Sequence, residues 1–246
     1  MKKQSIAVSV ALLVLLSITA MASTGRNDMQ IQQAVSQKML ASQQLANVSP
    51  SVEDGIVTLS GKVNLYQDKL EAAKKARRIA HVAGVRNNIT VVGKSVADTE
   101  LERQLAKKVV YDRVGYFDNA FNYITVSVKD GVATLGGATY WDVPRDDAMA
   151  IAARMPGVKE VVDNVKVLPT STFDDSIRVS TARAIYRDTV LSRYASDPAR
   201  PIRIVVSNGH VTLYGAVQNE MDKTLAGMRA NGVPGAFSVE NKLVVD

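Results

Sequence analysis

Side chains able to do chemistry are few in this sequence and do not cluster. Its 246 residues include no cysteine and only two histidines. His81 and His210 lie far apart, each without a second histidine beside it, so the close ligand spacing of a zinc site is missing. No Gly-x-Ser-x-Gly elbow, P-loop or dinucleotide fingerprint occurs. Asp146 and Asp147 form a carboxylate pair on paper, but adjacent helical residues point about 100° apart and read as a solvated face. The expectation is a protein that is no enzyme, with no metal and no cofactor.

Two groupings suit binding better than reaction. Lys69, Lys74, Lys75, Arg77 and Arg78 make a basic helix within residues 28–95, a stretch holding nine bases against five acids. Each base near an anionic headgroup surface contributes about 1 kcal/mol, so these five residues are candidates for lipid binding. Lys69 to Arg78 covers nearly three turns, so all five cannot face one plane. The second grouping is aromatic. Seven of the Phe, Tyr and Trp residues fall in residues 97–169, a stretch with nine bases and eleven acids. Of these, Tyr116, Phe117, Tyr140 and Trp141 stand at predicted element ends, where a hydrophobic or partner-facing patch could form. Packing between neighbouring parts of the chain is the other use for them.

The N-terminus reads as a targeting segment. Lys2 and Lys3 precede an apolar run from Ile6 to Ile18, and Ala20-Met21-Ala22 supplies small residues for cleavage. At about 1.5 Å per residue the run reaches only about 20 Å, short of a hydrocarbon core of about 30 Å. With residues 1–22 read as a signal peptide cleaved near Ala22, the remainder carries 28 Lys+Arg against 24 Asp+Glu. That mild excess argues against nucleic acid as a partner. No later stretch is apolar enough to span a bilayer. An exported chain without cysteine relies on its core alone, which suits a bacterial periplasm.

The elements that must position these groups come in three copies. Asp54-Gly55-Ile56-Val57-Thr58-Leu59-Ser60-Gly61, Asp130-Gly131-Val132-Ala133-Thr134-Leu135-Gly136-Gly137 and Asn208-Gly209-His210-Val211-Thr212-Leu213-Tyr214-Gly215 share one pattern. Their turn glycines Gly55, Gly131 and Gly209 are spaced by 76 and 78 residues, as are Gly61, Gly137 and Gly215. A second anchor follows at Asn88, Asn164 and Asn241. Asp-Gly or Asn-Gly between alternating β-branched residues predicts a type I′ hairpin, so these glycines are structural.

A helix is expected before and after each hairpin. Asp28–Gln44, Asp98–Val114 and Asp174–Tyr194 start with acids that suit a helix N-terminus. After the hairpins, Asn64 can cap Leu65–Ala80 with Tyr66, Leu70, Ala73 and Ala76 inward; Asp142 and Asn219 open the other two. The predicted fold class is α+β: three tandem α-β-β-α-β modules, each a three-stranded sheet with two helices on one face. The modules are set at 28–95, 97–168 and 173–245.

The order of helix, D/N-G hairpin, V-T-L-x-G, helix and final V-x-N strand resembles the BON domain (bacterial osmotically inducible Y and nodulation domain). With its leader and tandem units, the chain is similar to the osmotically inducible periplasmic protein Y group, which usually carries two units. Unit two alters the signature to Ala133-Thr134-Leu135-Gly136-Gly137, with Ala133 in place of valine, and the glycine–valine step before the last strand varies. Val82 is the expected counterpart of Val158. The resemblance implies a non-catalytic periplasmic envelope-stress or osmotic-stress protein that binds phospholipid or envelope proteins. Two alternatives stand beside it: a holdase-type chaperone for unfolded or outer-membrane proteins, and a structural module of an envelope assembly.

Overall fold

Each hairpin turns on two consecutive residues with positive φ: Asp54 (50°) and Gly55 (74°), Asp130 (55°) and Gly131 (80°), Asn208 (51°) and Gly209 (78°). Two left-handed residues in a row define the type I′ turn, whose twist matches that of the strands. The second glycine of each signature also has positive φ, 134° at Gly61, 98° at Gly137 and 116° at Gly215, and adds close packing. A Cβ on Gly61 or Gly137 would lie 2.1 or 2.0 Å from a backbone oxygen of the neighbouring strand.

The computed structural model describes residues 27–112, 116, 118–197 and 200–246. The leader, residues 1–22, lies outside them. The chain divides into two compact bodies, one ending at Ser95 and one running from Val96 to Asp246.

The first body holds α1 (27–40), β1 (Val48–Glu53), β2 (Ile56–Val63), α2 (Tyr66–Arg77) and β3 (Gly84–Val91). The second holds two further copies. One is α3 (Asp98–Asp112), β4 (Tyr123–Lys129), β5 (Val132–Thr139), α4 (Asp142–Arg154), β6 (Glu160–Asp163) and β7 (Lys166–Val167). The other is α5 (Thr172–Tyr186), α6 (Arg193–Ser196), β8 (Arg203–Ser207), β9 (His210–Tyr214), β10 (Ala216–Val217), α7 (Glu220–Asn231), β11 (Ser238–Asn241) and β12 (Val244–Val245). In every copy the hairpin is antiparallel and the last strand joins the second hairpin strand in parallel. The predicted α+β class holds, with the last strand continuous in copy one and split in the other two.

The inner face of each sheet meets the two helices. Ile31, Val35 and Met39 of α1 close on Val57, Leu59 and Ile89, with Ala72 and Ala76 of α2 beside them. Ile177, Ile185, Leu213, Ala226 and Ala230 repeat the arrangement in the third copy. In the second, Leu101, Leu105, Leu135, Ala148 and Ala152 are buried. Alanine on the second helix lets it lie close to the sheet.

The acid at the start of each first helix does more than face the helix dipole. Asp28 accepts the N–H groups of Asp54 (2.9 Å) and Gly55 (2.8 Å). Asp98 does the same for Asp130 and Gly131, and Asp174 for Asn208 and Gly209. One carboxylate thus ties a helix start to the hairpin tip in all three copies.

Several expectations are corrected. Asn64 does not cap α2: Leu65 is the extended residue before the helix, and its N–H goes to Asp68 (3.3 Å). Leu70 faces outward, because Ala72, Ala73 and Ala76 take the inner face. The third first-helix stops at Tyr186, eight residues early. Asp188 accepts the N–H groups of Val190 (2.8 Å) and Leu191 (3.2 Å), a turn that replaces the helical bonds.

The anchor register also shifts. Leu59, Leu135 and Leu213 pair with Asn87, Asp163 and Asn241, so the equivalents are Asn87 and Asp163 in place of Asn88 and Asn164. Asn87 donates to the Lys69 carbonyl and Asn241 to the Lys223 carbonyl, both at 2.7 Å, pinning the last strand to the second helix. Val82 does match Val158: the residues after them, Ala83 and Lys159, both donate to the turn glycine carbonyl.

Candidate functional site

Helix α2 divides its five bases by the same periodicity that places its alanines inside. Lys74, Arg77 and Arg78 are exposed and share one arc with Leu70, which is 47% exposed. Residues i, i+4, i+7 and i+8 fall on one side of a helix. None of the three bases makes a hydrogen bond or ion pair among the described residues. Lys75 lies on the flank, bridging Glu71 at 2.9 Å and donating to Ser42. Lys69 is half-buried, with its carbonyl held by Asn87. The structure therefore brings together three of the five predicted bases and adds a leucine.

The other second helices do not repeat this surface. With Gly61, Gly137 and Gly215 as the fixed offset, Leu70, Lys74, Arg77 and Arg78 correspond to Asp146, Ala150, Ala153 and Arg154 in copy two. In copy three they correspond to Thr224, Met228, Asn231 and Gly232. Asp146 is paired with Arg145 at 2.9 Å. Among the described second helices, the arc of Leu70 with Lys74, Arg77 and Arg78 is found in the first copy.

The aromatic candidates separate. Tyr116 is 57% exposed; Phe117 lies outside the described residues. Trp141 is 43% exposed, and its Nε1 donates to the fully buried Asp118 (2.9 Å), whose carboxylate also accepts from Asn122. Tyr140 is half-buried, edge-on to Phe121 (6.4 Å between centroids), with the Arg178 guanidinium 4.4 Å over its ring. Tyr140 thus meets the third copy within the second body.

Phe121 and Tyr123, of the aromatic group in residues 97–169, complete this junction with Tyr214, Arg203 and Asn119, which sequence reasoning did not single out. Tyr123 stacks on Tyr214 at 3.9 Å and 8°. Phe121 packs against the third core, and Arg203 donates to the Asn119 carbonyl and, at 2.7 Å, to its side-chain oxygen. The signal was present: the variable position of V-T-L-x-G is Ser60, Gly136 and Tyr214, and only the last is aromatic.

The histidines sit at the surface, His81 in a turn with φ 67° and His210 against the Ser238 hydroxyl (2.7 Å). No cluster of three or more His, Asp or Glu placed to hold a metal occurs among the described residues. No helix among them is long and apolar enough to cross a membrane.

The BON domain matches residues 27–93, 97–169 and 182–246, most of the chain, and the protein belongs to the BON domain family. The third match begins inside α5, although Asp174 before it performs the same clamp as Asp28 and Asp98. No curated protein matches. Among solved structures, the C-terminal domain of CdsD, the structural protein of the Type III secretion system of Chlamydia trachomatis, is 15% identical. That match covers 87% of this chain and 96% of that one, with a TM-score of 0.24. The periplasmic domain of PrgH, the T3SS inner membrane protein from S. typhimurium, is 11% identical over 84% of this chain and 96% of that one, with a TM-score of 0.20. Similarity this slight carries no argument about function.

Proposed function

We propose that the protein is a peripheral binder of anionic envelope surfaces, with phospholipid headgroups as ligand and α2 of the first copy as the contact. Membership of a generally non-catalytic, envelope-associated family supports a binding role. The observation that carries the reading is Leu70 set among the unpaired Lys74, Arg77 and Arg78. Three bases near an anionic surface contribute about 3 kcal/mol, and an inserted leucine adds to that. Since 1.4 kcal/mol is tenfold, the bases alone carry about two orders of magnitude in affinity. The expected signal peptide supports a periplasmic setting for this activity, and the family resemblance an envelope or osmotic stress response. The holdase alternative draws on aromatics of which Tyr140 and Tyr123 are committed to the junction.

Flotation with phosphatidylglycerol-containing and pure phosphatidylcholine vesicles tests the reading. Binding should need the anionic lipid and fade at high salt. Lys74→Glu/Arg77→Glu should lose at least tenfold in affinity with its thermal midpoint unchanged, while Lys108→Glu on α3 floats as the parent does. A double variant that floats equally well removes α2 from the account.

A further inference from the structure

Between the second and third copies, inside the second body, lies a cavity of about 200 Å³. Val109 and Val110 of α3, Tyr123 and Ile124 of β4, and Pro201 form its apolar walls, and Asn119 and Asn122 add amides to the lining. Arg203 also lines it, and no carboxylate does so among the described residues.

The state of Arg203 makes this cavity more than a packing fault. Its Nη1 is taken up by Asn119. Among the described residues Nε and Nη2 make no hydrogen bond, and neither belongs to the sealed polar atoms left without a partner, which are Thr139 Oγ1 and Arg178 Nε. Nε and Nη2 form the side edge of the guanidinium fork, which matches the two oxygens of a carboxylate. Among the described residues the cation has no ion-pair partner, and burial lowers its pKa from the ordinary arginine value. A buried charge without a counter-charge is costly, so an incoming anion relieves a cost already present. Arg200 stands at the rim, already shared between Asp246 (3.6 Å) and Asp197 (3.9 Å).

We infer that this junction cavity binds a small organic monoanion, its carboxylate on the free edge of Arg203 and a short aliphatic body against Val110 and Ile124. The volume suits such a body, since a dry apolar cavity of about 150 Å³ accepts benzene. The site is independent of the α2 surface and does not rest on the lipid reading. It is also particular to this junction, because the positions equivalent to Arg203 are Ser49 and Thr125.

Titration calorimetry of the purified protein with sodium hexanoate tests the proposal, with 1-hexanol and inorganic phosphate as comparison probes. Hexanoate should bind saturably at one site, and hexanol at least tenfold more weakly. Arg203→Gln should weaken hexanoate at least tenfold. Val110→Phe, which fills the cavity without touching the Arg203–Asn119 bonds, should do the same with an unchanged thermal midpoint. Absence of hexanoate binding, equal binding by the Val110→Phe protein, or phosphate binding more tightly than hexanoate would each overturn it.

Discussion

Asp28, Asp98 and Asp174 show what a single carboxylate contributes when it bridges two elements. Each was readable as a helix-start acid, but its true partners lie 26 to 35 residues on, at the hairpin tip. Separation of that size is invisible to local pattern. The three clamps differ in burial: Asp174 is 2% exposed and its Gly209 partner is buried, whereas Asp28 and Asp98 are half-exposed. Hydrogen bonds to a charged acceptor contribute about 1.5–3 kcal/mol, and stranding buried N–H groups adds to the loss. Asp174→Ala should therefore cost about 3 kcal/mol in urea unfolding and Asp28→Ala about 1–1.5 kcal/mol. Equal losses would show that burial does not set the cost.

Asp188 adds a pH dependence at the same scale. Its bonds from Val190 and Leu191 and its pairing with Arg229 (2.7 Å) hold its carboxyl below the usual range. A depressed folded value means the stabilisation is present above the unfolded carboxylate value and lost as pH falls through the folded one. Asp188→Asn should be less stable than the parent at neutral pH, and the difference should shrink on acidification below about pH 4. A constant difference measured by denaturation across that range would contradict this.

At the scale of elements, hairpins and cores were readable because turn chemistry and hydrophobic period are local. Both residues of every D/N-G turn lie where the sequence placed them, and the stripes Ile31-Val35-Met39 and Leu101-Leu105-Val109 are buried. Helix ends were less readable. Asn64 looked like a cap, yet Asp68 serves the exposed backbone; the periodic pattern ran on past Tyr186, yet Asp188 breaks it. Leu70 was misassigned because three alanines satisfy the sheet and leave no room for a leucine. That reversal gives α2 its outward leucine among bases. Only three of the five predicted bases share the surface: Lys75 is engaged by Glu71 and Ser42, and Lys69 is half-buried.

For the whole molecule, the repeat was evident from glycine spacing, but not the way copies two and three join. The Tyr123–Tyr214 stack and the Arg203–Asn119 bonds use residues found in single copies, and periodic reading discards such exceptions. A double-mutant cycle with Tyr123→Ala and Tyr214→Ala should give a coupling of about 1 kcal/mol in the unfolding of the second body. A coupling near zero would mean the stack is incidental.

The central claim is that one scaffold occurs three times while binding surfaces belong to particular copies, with α2 carrying the membrane contact. Hydrogen exchange with and without phosphatidylglycerol-containing vesicles addresses it most directly. Slowed exchange is predicted over Tyr66–Arg77, with α4 and α7 unchanged. Equal protection of all three second helices, or an unprotected α2 in vesicle-bound protein, would contradict the account.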